Sequence, residues 1–99
     1  MTPASLYRPA SELVLRRVGD EAILVPVRNR VGDLDSVFTL NEIALRVWTL
    51  LDGQHTLEAI AATVAEEYDV SFDVAIADVS ELIATLQEAR LVEPVREAV

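Results

Sequence analysis

Apolar positions recur with a period of two up to about residue 40, and with a period near 3.6 from there to residue 92. From Glu12 to Val18, Leu13 and Leu15 alternate with Val14 and Arg16, which predicts a strand. Gly19-Asp20 supplies a two-residue turn, because glycine reaches the positive φ that a primed hairpin turn requires. Glu21 to Val27 is the return strand, with Ile23, Val25 and Val27 on one face and Ala22 and Leu24 on the other. Pro26 lacks an N–H and belongs at a strand end or at a position that does not bond. Arg28 to Asp33 is polar and reads as a loop. A third strand, about Asp35 to Leu40, completes an antiparallel meander.

Three helices follow. The first spans about 41–52, with Ile43, Val47, Leu50 and Leu51 on one stripe and Ala44 and Trp48 at its edge. Asn41 can cap it, and Thr39 with Glu42 offers a rival capping box. Gly53 suits a left-handed stop. The second spans about 57–68 behind a Thr56 cap, with Leu57, Ile60, Ala61, Val64 and Tyr68 inward. Asp69-Val70-Ser71 breaks the chain. The third runs from about Phe72 to Arg90, with Ser71 or Asp73 near its start and Phe72, Ala75, Ile76, Val79, Leu82, Ile83 and Leu86 on its stripe. Leu91 and Val92 follow, and Pro94 prevents continuation. Residues 1–10 hold two prolines and no periodicity, so they read as an extended arm.

The order predicts one α+β domain over residues 1–99: an N-terminal three-stranded antiparallel sheet, then a three-helix bundle, with a winged helix-turn-helix outline. A typical winged helix carries its hairpin after the recognition helix. Here the sheet comes first.

Charge then removes one class of function. The chain carries −9 overall and has no lysine. Residues 1–49 balance six Arg against six acids, whereas residues 50–99 set two Arg against eleven acids. The whole excess lies on the helical half, which would repel phosphates. There is no cysteine, so disulfides and thiolate ligation are unavailable. No apolar run approaches the ~18–20 residues of a membrane span. The N-terminus lacks a secretory pattern, and a cytoplasmic protein is expected.

Candidate chemistry is sparse. His55 is the single histidine and makes a poor metal site alone. Glu66 and Glu67 are adjacent on a helix, so their carboxylates do not point together. Ser36, Thr56 and Ser71 have no base partner in view and suit strand and cap positions. Glycines 19, 32 and 53 form no phosphate loop. Trp48 is expected in the core. No enzyme is predicted, and no cofactor or metal. An open strand edge, by contrast, can accept another strand.

The run Phe38-Thr39-Leu40-Asn41-Glu42, the Trp48 helix, Leu51-Asp52-Gly53 and Thr56-x-x-x-Ile60 resembles the PqqD family, as do Glu67-Tyr68-Asp69-Val70 and Ala89-Arg90-Leu91-Val92. The likeness covers roughly residues 12–93. It implies a RiPP recognition element: a noncatalytic chaperone that binds the leader of a ribosomally made precursor peptide and presents it to a modifying enzyme. That enzyme is a radical S-adenosylmethionine protein or, in lasso-peptide systems, a leader peptidase. The family's binding mode adds the leader to the third strand, facing the third helix. Carried onto this chain, it implies Asp35, Ser36, Val37, Phe38 and Thr39 on the strand and Ala75, Asp78, Val79 and Leu82 on the helix. Ala75 would leave a notch, and the acidic margin at Asp78 would favour a leader bearing Lys or Arg. The rival reading is a winged-helix transcriptional regulator or protein-interaction module. No nucleic acid or membrane is expected as a partner; an open edge can also pair with its twin, so a homodimer is among the expected assemblies.

Overall fold

The computed structural model describes residues 4–10, 13–28, 31–32 and 37–95. Its order is β1 (Tyr7–Pro9), β2 (Leu13–Val18), β3 (Glu21–Arg28), β4 (Val31–Gly32), β5 (Phe38–Leu40), α1 (Glu42–Leu50), α2 (Leu57–Glu67), α3 (Phe72–Glu88) and β6 (Val92–Pro94). The expected α+β layout is present, with two additions: a second, two-stranded sheet and the short β4.

β3 is the spine of the main sheet. β2 pairs with it antiparallel from Leu13↔Pro26 to Val18↔Glu21, around a turn in which Gly19 has φ +62. β5 lies along the other side, with Ala22↔Leu40, Ile23↔Thr39 and Leu24↔Phe38. β4 pairs farther along the same side, at Val27↔Gly32 and Arg28↔Val31. Residues 31 and 32, read from sequence as loop, therefore extend the ladder. A two-residue turn makes Val18–Glu21 a hydrogen-bonded pair, and bonding then alternates along both strands. Pro26 consequently turns its nitrogen away from β2, toward the stretch between the β4 and β5 pairings. There its missing N–H costs no described ladder bond.

Ala22, Leu24 and Leu40 are fully buried and join Val47, Leu51, Ile60, Val79, Ile83 and Leu86 in one core. Trp48 lies in that core as expected, 8% exposed. Each helix has one capping side chain. Asn41 Oδ1 accepts from Ala44 N–H at 2.8 Å, Thr56 Oγ1 from Ala59 N–H at 3.0 Å and Ser71 Oγ from Val74 N–H at 3.3 Å. Asn41 thus prevails over the Thr39–Glu42 box, and Ser71 over Asp73.

The helices stop earlier than their periodicity predicts, at Leu50, Glu67 and Glu88. Asp69 (φ +52) and Arg90 (φ +62) turn left-handed just past α2 and α3. Val70 N–H then reaches Ala65 O at 3.1 Å, and Leu91 N–H reaches Leu86 O at 2.9 Å, the six-to-one bond of a Schellman ending. Gly53 (φ +80) is not the stop of α1 itself. It lies in the following loop and donates its N–H to Tyr7 O at 2.8 Å. Phe72, assigned inward from its spacing, is exposed at the first position of α3.

The N-terminal arm is not loose where it is described. β1 pairs with β6 at Tyr7↔Pro94, Arg8↔Glu93 and Pro9↔Val92. Leu57 N–H donates to Ser5 O, and Val95 N–H to Leu6 O. The arm is therefore bound to the α1–α2 turn and the C-terminal strand. Among the described residues, nothing pairs with the outer edge of β5.

Candidate functional site

Ladder alternation decides what the β5 edge offers. Ala22 and Leu24 face β5 with their backbone groups, so Leu40 and Phe38 bond inward. The N–H and C=O of Thr39 point outward, and the same alternation turns those of Val37 outward. Phe38 packs its half-buried ring against the core. Of the strand residues expected to bind a guest, Val37 and Thr39 present free backbone groups, and Phe38 does not. Asp35 and Ser36 lie outside the described residues.

β5 runs through Asn41 directly into α1, and beside α1 lies an apolar groove of about 80 Å³. Val47 and Val64 form its floor with Ala75 and Val79, all four buried. Ile43, Tyr68, Val70 and Leu82 form its rim together with Asp78. The spacing 75, 78, 79, 82 places those four α3 residues on one helical face. The structure thus gathers all four expected α3 residues at one groove, while no β5 residue lines it.

Sequence spacing missed the opposite wall. Ile43 falls on the apolar stripe that the spacing predicts for α1, yet it is 43% exposed. It lines the groove opposite Ala75 and Val79 of α3. Val70 is exposed in the turn after α2. The periodicity that marks a stripe does not tell where the neighbouring helix stops covering it.

A second hollow, about 260 Å³, opens on the other flank of α1 between Arg17, Asp20, Glu42, Leu45, Arg46 and Thr49, with Tyr68 as a shared wall. Its chief cation is already engaged. Arg46 donates through Nε to Glu67 Oε2 at 2.8 Å and through Nη2 to Glu67 Oε1 at 2.9 Å. This contact holds the Glu67 carboxyl below its ordinary range and raises the Arg46 guanidinium. Glu67 is therefore an ion-pair partner as well as a face residue. His55 Nδ1 lies 2.9 Å from Asp52 Oδ1, which also accepts from Gln54 N–H at 2.8 Å; the His55 contact first, then Gln54, lowers the Asp52 pKa. Both Asp52 contacts brace the turn that carries Gly53.

A strand margin that is unpaired among the described residues and leads into a helical groove defines the class: a small α+β domain with its sheet ahead of three helices. The chain belongs to the PqqD family, since the family model for "Coenzyme PQQ synthesis protein D (PqqD)" matches residues 21–92. Curated relatives named "PqqA binding protein", from three strains of Xanthomonas oryzae pv. oryzae, are 46% identical over 57 residues, 58% of this chain. That stretch spans 62% of the relatives' own length. The fold is similar to the structure "TbiB1 in Complex with the TbiA(beta) Leader Peptide", with TM-score 0.72 and 22% identity over 91% of this chain and 99% of that one. It is also similar to the solution structure of the PqqD truncation of Methylobacterium extorquens PqqCD, described as a stand-alone RiPP recognition element. There the TM-score is 0.67 with 24% identity, over 94% of this chain and 99% of that one. Likeness at these identities establishes the fold.

Proposed function

We propose that this chain is a noncatalytic peptide-binding adaptor. It captures the leader of a ribosomally synthesised precursor as an added strand on β5 and presents it, in the cytoplasm, to a modifying enzyme, either a radical S-adenosylmethionine protein or a leader peptidase. The observation that carries the reading is a β5 margin, unpaired among the described residues, together with an apolar groove on the helix that β5 enters. Backbone groups of Val37 and Thr39 supply affinity with little sequence demand. The groove supplies choice: burying one branched aliphatic side chain there is worth about 1.5–3 kcal/mol. Its volume of about 80 Å³ suits a Val- or Leu-sized group better than a Trp. Asp78 at the rim, on a half of the chain carrying −9, favours a basic neighbour in the guest.

Family membership supports the same reading, as do relatives named for binding PqqA and a like-folded domain solved with a leader peptide. The regulator reading fares worse, because α3 would carry Asp73, Asp78, Glu81 and Glu88 toward DNA phosphates. The test is a titration of the full chain with the precursor peptide encoded beside its gene, followed by amide chemical shifts. Shifts are expected to concentrate at residues 37–39, 43 and 75–82. Tight binding of duplex DNA at low salt, with no response to the peptide, would overturn the proposal.

A further inference from the structure

The apolar groove is small enough for its width to matter, and its sides stand on different elements. Ile43 and Val47 belong to α1, Tyr68 and Val70 to the turn after α2, and Ala75 and Val79 to α3. α2, its turn and α3 are tied together along the chain. Tyr68 N–H and Val70 N–H bond back to Val64 O and Ala65 O, and Ser71 caps α3. α1 joins them through the shared core, in which it buries Leu45, Val47 and Trp48. Apolar burial has no preferred direction. Among the described residues, one polar side-chain contact fixes α1 against α2: the two-armed Arg46–Glu67 pair.

The place of that pair in the sequence gives it a role. Arg46 directly precedes Val47 of the groove floor, and Glu67 directly precedes Tyr68 of its rim. Holding the two partners together therefore holds two groove residues that stand on different helices. The donor is itself braced. Arg46 Nη1 donates to Thr49 Oγ1 at 3.3 Å, and Thr49 Oγ1 donates to Arg46 O at 2.7 Å. The side chains of the pair are 38% and 40% accessible, so the contact lends the fold little stability. What two parallel bonds supply is orientation.

We infer that Arg46 and Glu67 are positioning residues for guest selection: the pair holds α1 at the separation from Tyr68 that admits one branched aliphatic side chain and excludes a large aromatic one. The inference rests on the peptide-binding reading and adds to it the device that sets the size limit. Neither residue lines the groove, so each acts on the guest through its neighbour. With the pair broken, α1 can slide on its apolar contacts, and a groove of about 80 Å³ loses its fixed width.

Isothermal titration of the full chain with synthetic leader peptides of the neighbouring precursor tests this. Alanine replacement first finds the aliphatic leader position whose loss most weakens binding to the parent. Peptides carrying Val, Leu, Phe or Trp there are then compared. The parent is expected to favour Val or Leu over Trp. Arg46→Met keeps the aliphatic stem and removes the donors; Glu67→Gln removes the charge. Each is expected to reduce the preference by about fivefold, the most that an exposed ion pair can impose, with the urea midpoint nearly unchanged. The double variant should lose no more than either alone, since both act through one contact. A merely structural pair would weaken every peptide by the same factor. That uniform loss, or an unchanged preference in both variants, would overturn the inference and leave the peptide-binding reading intact. A parent that binds no leader peptide would instead overturn that reading, and this inference with it.

Discussion

Arg46 and Glu67 join the middle of α1 to the last turn of α2 through two parallel nitrogen–oxygen contacts, at 2.8 and 2.9 Å. The fork-to-fork geometry is the strong form of an Arg–carboxylate contact. It fixes the wall between the polar hollow and the apolar groove, where Tyr68 borders both.

That contact predicts a pH signature. Glu67 releases its proton more readily in the folded chain than in the unfolded one. The folded state therefore binds fewer protons across that interval, and stability rises with pH through it. The contribution is complete above the ordinary glutamate value of about 4.3 and disappears as pH falls through the lower folded value. Asp52 behaves with the same sign. Thermal melts of the parent and Glu67→Gln are expected to differ slightly at neutral pH and to converge in acid. A gap that persists or widens in acid would contradict the assignment.

Gly53 makes a second, sharper prediction about stability. Its φ of +80 disfavours any residue with a Cβ, and a Cβ there would sit 3.2 Å from Val95 Cγ2 and 3.6 Å from Arg8 Cβ. Gly53→Ala is expected to destabilise the fold by about 1–2 kcal/mol through the left-handed backbone alone. The crowding against the β1–β6 ribbon adds to this. Gly19, also left-handed, has no atom near its would-be Cβ, so Gly19→Ala should cost only the backbone part. Urea titrations of the two variants separate the contributions.

How much of this was legible in the sequence depends on the range of the interaction involved. The hairpin, the faces of α2 and most of α3, and the caps at Asn41, Thr56 and Ser71 are written in residues at most four apart, whereas the α1 stripe included exposed Ile43 and left out buried Leu45. The pairing of β1 with β6 joins Arg8 to Glu93, 85 positions away, through three-residue strands that each contain a proline. No local pattern marks it. The ends of α2 and α3 were overrun because left-handed Asp69 and Arg90 stand where a glycine would have announced the stop. Four groove residues on α3 were readable, as a family resemblance laid over a helical face. Their counterparts Ile43 and Val70 were not, because exposure there depends on tertiary packing between elements and not on spacing along the chain.

Ile43 accordingly separates binding from stability. Its side chain is substantially exposed, so Ile43→Ser should change unfolding free energy by only about 0.5 kcal/mol. The same change removes an apolar rim from the groove and is expected to weaken leader binding roughly tenfold, given about 1.4 kcal/mol per decade. Asp78→Asn should preserve the apolar contact and instead flatten the salt dependence of binding. Isothermal titration at two ionic strengths reads both effects. A stability loss at Ile43 as large as that of a core residue would place it in the core after all.

Val37 provides the test of strand addition itself. Ladder alternation turns its N–H to the free margin, so Val37→Pro deletes a donor that β3 does not use. The fold should survive, with an unchanged circular dichroism spectrum. Peptide affinity should fall by about fivefold, the equivalent of one backbone hydrogen bond of about 1 kcal/mol. Phe38→Pro is the contrasting variant. It removes a donor that faces Leu24 and disturbs a side chain packed on the core, so it should lower stability before binding is measured. Should Val37→Pro bind as tightly as the parent, the guest does not add along β5, and the groove alone would have to account for recognition.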